Sequence, residues 1–187
     1  MTLFVKNKIT GRNRTEIMSN HTTFLFRSPR MVDLDRMYSI LKSSLSQFLV
    51  VNETSSKNNQ LIIDKGTVEG YIIDNRYHTI VAEIDSQIVG WLSGSARSEI
   101  LSEHGCNPEE FYLEEIVVDS AFRRKGVGSS LLSKIPPDNL GAVVVDTPLI
   151  NKQAIVFYER NGFVTVGSKS REFSRNWIRM SRPVRNH

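Results

Sequence analysis

The chain has 187 residues, of which 40% are apolar and 24% charged, and this size and composition are typical of one folded domain rather than a disordered chain. Its net charge of +4 is concentrated at the ends: residues 1–30 and 169–187 carry +5 each, whereas residues 31–168 carry −6. This distribution argues against a nucleic-acid-binding protein, which needs a clustered basic face, and the single cysteine excludes an internal disulfide framework.

The first half of the chain predicts a leader, one strand and two helices. Residues 1–20 are polar, and Lys6 and Lys8 interrupt their apolar start, so we expect a leader outside the fold, no secretory signal and a cytoplasmic protein. The domain then spans residues 21–187, where no apolar run is long enough to cross a membrane. Its first elements are a strand (Thr22–Arg27), a helix capped by Asp33, a polar loop over residues 50–66 and a short helix near Thr67–Ile73.

The second half mixes strands with helices and predicts an α/β (or α+β) fold. Two β-branched runs separated by residues 85–87 predict a hairpin, residues 96–110 predict a long polar loop, and Asn151 and Gly162 are placed to cap the two ends of a helix. In chain order the predicted elements are the hairpin strands Thr79–Ile84 and Ile88–Ser95, the strand Phe111–Asp119, a helix over Val127–Ile135, the buried strand Ala142–Asp146, the helix after Asn151, and the closing strands Phe163–Val166 and Trp177–Met180.

A strand, a basic turn and a helix follow one another directly at residues 116–132, an arrangement typical of an anion site. The unpaired N–H groups of a first helical turn attract phosphate, and Gly126 and Gly128 let the backbone approach it without a Cβ in the way. Arg123, Arg124 and Lys125 add positive charge at the same place. From composition alone, a basic turn without a ligand is an equally good interpretation. The phosphate-loop and dinucleotide-binding patterns are both incomplete.

Two motifs in this half resemble the GNAT superfamily of N-acetyltransferases. The run Arg123-x-x-Gly126-x-Gly128 after a strand resembles the family's Arg/Gln-x-x-Gly-x-Gly/Ala signature. The second signature is similar to Asn151, Ala154, Phe157-Tyr158 and Gly162-Phe163, which follow in the family's order with a strand between. The resemblance covers residues 22–182 and is strongest from 111 to 163. Residues 112–116 also resemble the fourth strand of the polyamine and thialysine acetyltransferase branch.

The resemblance implies a single-domain GNAT fold, whose mixed and mostly antiparallel sheet is flanked by helices and splays between its fourth and fifth strands. It implies acetyl-CoA as co-substrate and no metal. The pyrophosphate would lie on the backbone of the turn, and the pantetheine arm would lie along the fourth strand, where one N–H would stabilise the oxyanion. The residues implied are Ile116, Val117 and Val118 on the strand, Arg123, Arg124, Lys125, Gly126, Val127, Gly128 and Ser129 in the turn, and Asn151, Ala154 and Tyr158 on the next helix.

Acetyl transfer needs a base for the amine and an acid for the thiolate that leaves. The resemblance implies Tyr158 as the acid, and a phenol with a pKa near 10 suits that role. A core aromatic residue is the alternative interpretation of Tyr158. We predict Glu114 as the base, with Glu115 second, because neighbours on a strand point to opposite faces and only one of the two should face the substrate. Both glutamates could instead be solvated or paired with Arg123 or Arg124.

The acceptor is not encoded in a recognisable motif. The acidic middle of the chain favours a cationic amine, which a polyamine, a lysine-like metabolite, an aminoglycoside or a protein amine would each supply. Two other functions stay open: a non-catalytic acyl-CoA-binding module, and an acetyltransferase for a charged-tRNA or RNA-linked amine recruited by the basic ends. A homodimer is common in the resembled family. We expect His104 and Cys106 to be a surface histidine and a bystander thiol.

Overall fold

The computed structural model describes residues 15–19, 22–50, 64–136, 140–171 and 174–184. Their strands form one eight-stranded sheet in the order β1-β2-β3-β4-β5-β6-β8-β7. All neighbouring strands are antiparallel except β5 and β6, which are parallel. The strands are β1 (Thr15–Ser19), β2 (Thr22–Arg27), β3 (His78–Ile84), β4 (Gln87–Ser95), β5 (Glu110–Val118), β6 (Ala142–Pro148), β7 (Val164–Arg171) and β8 (Ser174–Pro183).

Helices cover both faces of this sheet, as the mixed α/β pattern of the sequence predicts. Asp33 caps the 3-10 turn that leads into the first helix, and Asp64 and Asn151 cap two others with their side chains. Gly162 has a φ of 83° and ends the last helix, as predicted. The helices are α1 (Leu34–Val50), α2 (Lys65–Ile73), α3 (Ser98–Glu103), α4 (Val127–Leu132) and α5 (Lys152–Arg160).

Three elements differ from the sequence prediction. β1 lies within the segment 1–20 that the polar composition assigns to a leader, and it pairs with β2 over all five of its residues. Residues 1–14 of that segment lie outside the described residues. The segment 96–110 is not a continuous loop, since it contains α3, whose two buried residues Ile100 and Leu101 are flanked by polar ones. The predicted helix 127–135 is shorter and ends at Leu132.

Two hydrophobic clusters lie on opposite faces of the sheet. On one face, α4 and α5 cover a core that includes Phe111, Leu113 and Val143. On the other face, α1 and α2 cover Trp91, which is fully buried, and Val117. The indole N–H of Trp91 donates to the carbonyl of Met37 at 3.1 Å, so the polar atom of this core tryptophan is satisfied.

β5 carries one extra residue relative to β4. Ser93 is opposite Glu115 and Gly94 is opposite Leu113, so Glu114 has no partner in the ladder. This β-bulge lies against Gly94, where an added Cβ would stand 2.3 Å from the Phe111 ring and 2.5 Å from the Tyr112 carbonyl oxygen. The bulge therefore requires glycine at position 94.

Gly94→Ala is expected to lower the free energy of unfolding by about 1–3 kcal/mol, because the methyl group overlaps both a buried ring and a backbone oxygen. Urea unfolding followed by circular dichroism measures the change. Gly70→Ala in α2 is the matched control: its methyl group meets nothing within 4 Å, and alanine favours the helix. Equal stability of the Gly94→Ala variant and the wild type would contradict the tight contact.

The parallel pair β5 and β6 is joined only at its beginning. Three residue pairs connect the strands: Glu110 with Ala142, Phe111 with Val143 and Tyr112 with Val144. Beyond them β5 continues to Val118 and β6 to Pro148 without pairing to each other. The predicted splay between the fourth and fifth strands of the domain is thus confirmed at β5 and β6.

Candidate active site

The bulge in β5 places Glu114 and Glu115 on the same face of the sheet. Leu113 packs in the core under α4 and α5, and Ile116 packs against that same core, although two residues separate them. An unbroken strand would alternate and put residues 113 and 116 on opposite faces. The extra residue breaks this alternation, so both glutamates face α1 and α2. The alternation expected between Glu114 and Glu115 is therefore interrupted at the bulge.

Glu115 is a half-buried acid with no ion-pair partner in the part of the chain that the structure describes. Among the described residues, no side chain or backbone N–H donates a hydrogen bond to its carboxylate. Burial, and secondly the charge of Glu114, raise the pKa of Glu115 to about 8. A carboxylate with a pKa close to neutral can accept a proton and release it again, which is the property required of a general base.

Tyr158 on α5 is 6% exposed and belongs to the core that α4 and α5 cover. Its ring is held between Phe157 and Phe163, with a centroid distance of 5.3 Å to each. Burial, and secondly the charge of Glu115, raise its pKa above the ordinary value. Within the described part of the chain no hydrogen bond engages the phenol. Tyr158 therefore keeps a neutral O–H group over the whole physiological pH range.

Glu114 occupies a different environment from its neighbour. Its Oε1 lies 3.1 Å from Nε2 of His104, the residue that ends α3. The side chains of His104 and Glu114 are 19% and 16% exposed. Glu114 is thus a paired carboxylate near the surface, not the isolated one that a base requires. The sequence favours Glu114 over Glu115, and these surroundings favour the opposite choice.

Two aromatic residues next to the glutamates were not identified from the sequence. Tyr71 on α2 is buried, and burial together with Glu115 and Glu114 raises its pKa; Tyr77 lies against it, with ring centroids 5.0 Å apart. Position 104 was expected to be a surface histidine, whereas the structure pairs it with Glu114. No motif identifies these contacts, because they depend on how α2 and α3 pack on β5.

The predicted anion turn contains two residues with positive φ angles. Gly126 has a φ of 86° and is the N-cap of α4, and Arg124 also has a positive φ of 61°. Among the described residues, no carbonyl accepts from the N–H groups of residues 124–129, whereas Ser130 N–H bonds to the Gly126 carbonyl at 2.9 Å. These N–H groups are available to an anion.

The three basic side chains of the turn differ in their contacts. Arg123 donates from Nε to the Val118 carbonyl (3.1 Å) and from Nη2 to Ser44 (3.0 Å), so it connects the end of β5 to α1. The Arg124 side chain is exposed, and the ammonium of Lys125 lies 5.1 Å from the centroid of the Phe122 ring. Arg36 on α1 also holds this region, through an ion pair with Asp119 at 2.5 Å.

Gly128 and Asn151 connect the turn to α5. A Cβ at Gly128 would lie 2.9 Å from the Phe157 ring, so glycine allows α4 and α5 to pack closely. The Asn151 side chain accepts from Ala154 N–H at 3.2 Å and caps α5. Val127 is buried beneath the turn, and Ser129 is exposed on it.

The backbone of β5 is open toward the splay at alternate residues. Asp119 N–H donates to the Val89 carbonyl, which fixes the hydrogen-bonded pairs of β4 and β5 at the odd residues of β5 beyond the bulge. Ile116 and Val118 therefore direct their backbone groups toward the splay. Val117, which the sequence prediction groups with them, pairs with Trp91 and buries its side chain on the other face.

The described residues contain neither a metal-binding cluster nor a membrane-spanning helix. No group of three or more His, Cys, Asp or Glu side chains is arranged there to hold a metal ion. None of the helices in these ranges is long and apolar enough to cross a membrane.

Parts of the chain resemble known proteins in sequence. Residues 75–165 match the family model described as an acetyltransferase (GNAT) domain. The N-alpha-acetyltransferase 30 of Dictyostelium discoideum is 32% identical over 90 residues, which cover 46% of this chain and 45% of that protein. The N-alpha-acetyltransferase 30 of Xenopus laevis is 39% identical over 57 residues, 28% of this chain and 21% of that protein. The chain thus spans less than half the length of these relatives.

A solved structure matches almost the whole fold. The PaiA N-acetyltransferase of Thermoplasma acidophilum, in complex with coenzyme A, aligns with a TM-score of 0.68 over 86% of this chain and 98% of that chain. The sequences are 13% identical in this alignment, so the likeness concerns the fold.

Proposed function

We propose, from the GNAT acetyltransferase domain matched by residues 75–165, that the chain is an N-acetyltransferase that transfers acetyl from acetyl-CoA to a primary amine within a ternary complex. One observation carries the proposal. Glu115, a half-buried carboxylate on β5, and Tyr158, a buried neutral phenol on α5 whose pKa the charge of Glu115 raises, lie beside an open sheet and the predicted anion turn. They supply the base and the acid that amide formation requires.

The residues present fit the shape and charge of coenzyme A. The N–H groups of residues 124–129, with Arg124 and Lys125 beside them, would hold the pyrophosphate. The backbone of Ile116 and the N–H of Val118, which face the splay, would bind the pantetheine amides in the manner of an added strand. Asn151 and Ala154 begin α5 at the same end of the sheet and would contact the coenzyme there.

The chain's own residues would move two protons. Acetyl-CoA supplies the activated acyl group as a thioester. Glu115 would take the proton of the acceptor ammonium, so that the amine attacks the thioester carbonyl as the new C–N bond forms and the C–S bond breaks. Tyr158 would donate its phenolic proton to the thiolate that leaves, and the nitrogen of the new amide would return its second proton to the phenolate. Burial keeps Tyr158 protonated for this purpose and keeps Glu115 basic enough to act near neutral pH.

The acceptor would reach Glu115 from the face that α1 and α2 cover. Glu114 and Glu115 give this face negative charge, and Tyr71 and Tyr77 give it aromatic walls. Such a site attracts a cationic amine. The relatives are named as N-alpha-acetyltransferases, so we propose the α-amine of a protein or peptide as the acceptor ahead of a polyamine or lysine-like metabolite.

The experiment is coenzyme A release from acetyl-CoA in the presence of a panel of amines. The panel contains peptides with a free α-amine, the same peptides blocked at the α-amine but carrying lysine, spermidine and free lysine. We expect turnover with free α-amine peptides and little with the blocked ones. Chromatography should be used for detection, because the half-buried Cys106 would interfere with a thiol reagent.

Three outcomes separate this proposal from its alternatives. Turnover with spermidine alone would move the acceptor to the polyamine class. Binding of acetyl-CoA without turnover of any amine would support a non-catalytic acyl-CoA-binding module instead. Tight binding of tRNA that weakens steeply with salt would support an acceptor linked to RNA.

A further inference from the structure

His104 is held in place by one contact of its ring and one of its backbone. Its ring stacks on Tyr112 with a centroid distance of 3.8 Å and an interplanar angle of 16°. Its carbonyl accepts from Nη2 of Arg179 at 2.6 Å, and Arg179 also donates to the Gly105 carbonyl at 2.9 Å. The imidazole therefore has a fixed position although it stands at the end of a short helix.

Arg179 is itself anchored in the sheet. It lies on β8 and makes a two-fold contact with the buried carboxylate of Asp146 on β6, at 2.8 and 2.9 Å. The second oxygen of Asp146 also accepts from the Tyr112 hydroxyl at 3.2 Å. Tyr112, Asp146 and Arg179 thus form a buried polar frame behind His104 that spans β5, β6 and β8. The contacts of His104 with Tyr112 and Arg179 distinguish it from a solvent-exposed histidine.

The imidazole of His104 contacts the carboxylate of Glu114. Nε2 lies 3.1 Å from Oε1 of Glu114, and a nitrogen that faces a carboxylate at this distance carries the hydrogen. The positive end of the N–H bond therefore offsets part of the charge on Glu114. Glu114 is next to Glu115 on the same face of the sheet, and its charge is one of the two causes that make Glu115 a stronger base.

The other titratable groups around the two glutamates do not replace this contact. They are Tyr71 and Tyr77 from α2 and the loop after it, Tyr112 on β5, Tyr158 on α5, and Asp146 with Arg179 behind His104. The raised pKa values of Tyr71, Tyr77 and Tyr158 keep these phenols neutral at physiological pH, and Arg179 is neutralised by Asp146. Among the described residues, the imidazole of His104 is the group that donates to Glu114.

We propose that His104 is a positioning residue for acetyl transfer, which holds Glu114 and offsets its charge and thereby sets how readily Glu115 takes the proton of the acceptor amine. The inference rests on the proposed function for its role in turnover. Its electrostatic part, an effect of His104 on Glu115 through Glu114, does not depend on turnover. The two can therefore fail separately.

The test measures the titration of Glu115 by carbon-13 NMR of labelled glutamate, together with the pH dependence of kcat. His104→Leu removes the donor and leaves the full charge of Glu114 facing Glu115, so the titration midpoint of Glu115 should rise by about half a unit. His104→Gln keeps an N–H donor, so the midpoint should rise by less than in His104→Leu. Glu114→Gln removes the charge and should lower the midpoint.

The double variant His104→Leu with Glu114→Gln decides whether His104 acts through Glu114. Its midpoint should equal that of Glu114→Gln alone, because His104 has no charge left to offset. His78→Gln is the control and should leave the midpoint unchanged, since the half-buried His78 contacts Phe111 and the Lys134 carbonyl and neither glutamate.

Each result supports or overturns the proposal. A Glu115 midpoint that is the same in the wild type and His104→Leu would overturn it. So would an equal shift from His104→Leu with and without Glu114→Gln, because His104 would then act directly. If the wild type turns over no amine but the midpoints move as expected, the proposed function fails while the link from His104 to Glu115 is upheld. If kcat does not follow the midpoints in an active enzyme, the role in turnover is wrong.

Discussion

Tyr158→Phe is expected to lower kcat for acetyl transfer by about 10²–10⁴-fold, which is the usual contribution of a positioned general acid. The substitution removes one oxygen and keeps the ring between Phe157 and Phe163, so the core around it should persist. The measurement is steady-state turnover of a peptide acceptor, with acetyl-CoA binding followed by calorimetry. Binding should be close to that of the wild type, because the loss concerns proton transfer.

Tyr71→Phe is the matched control for this prediction. Tyr71 is another buried tyrosine near the two glutamates, and its pKa is raised for the same reasons. Loss of its hydroxyl should change kcat by less than about tenfold, since Tyr71 lies on α2 and is not the residue proposed to protonate the thiolate. Equal losses from both substitutions would mean that the local polarity matters rather than a specific acid. An unchanged kcat in Tyr158→Phe would remove Tyr158 from the mechanism.

Glu115→Gln is expected to reduce kcat by a similar factor of about 10²–10⁴ and to abolish a rise of activity with pH. Glu115 accepts a proton only as the carboxylate, and its pKa is about 8. The kcat of the wild type should therefore increase about tenfold per pH unit below 8 and level off above it. A profile of kcat against pH from 6 to 10 measures this limb. The control Glu114→Gln should retain a rising limb.

Stability gives an activity-independent check on the same residue. The pKa of Glu115 is higher in the folded chain than the ordinary value of 4.5, so the folded state binds more protons between about pH 4.5 and 8. The contribution of Glu115 to the free energy of unfolding is therefore full below this window and is lost as the pH rises through it. Glu115→Gln should flatten this dependence in urea unfolding at several pH values. An unchanged slope would show that Glu115 is solvated and is not the base.

The sequence predicts the parts of the site that depend on local backbone conformation. Gly162 has the left-handed conformation predicted for the end of α5, and Asn151 caps the start of that helix through its own side chain. The splay between β5 and β6 follows from the resemblance to a family, and pairing limited to three residues confirms it. Such features are encoded within a few residues of each other, or in motifs that keep their order.

The choice between Glu114 and Glu115 shows what the sequence does not encode locally. A strand pattern is interpreted by strict alternation, and one extra residue in β5 reverses the result for every residue after it. The cause of the bulge lies partly in another strand, at Gly94, and the pairing of Glu114 with His104 depends on α3. Long-range packing of this kind has no counterpart in spacing or composition.

The limited pairing of β5 with β6 also makes the sheet a mechanical joint. Five strands, from β1 to β5, form one plate, and β6, β8 and β7 form another, with three residue pairs connecting them at one end. Changing the angle between the plates stretches few hydrogen bonds, because most of the facing edges carry none. A ligand that lies in the gap would add the missing rungs and fix that angle, so occupancy should slow amide hydrogen exchange at Ile116 and Val118 and stiffen both halves of the sheet together.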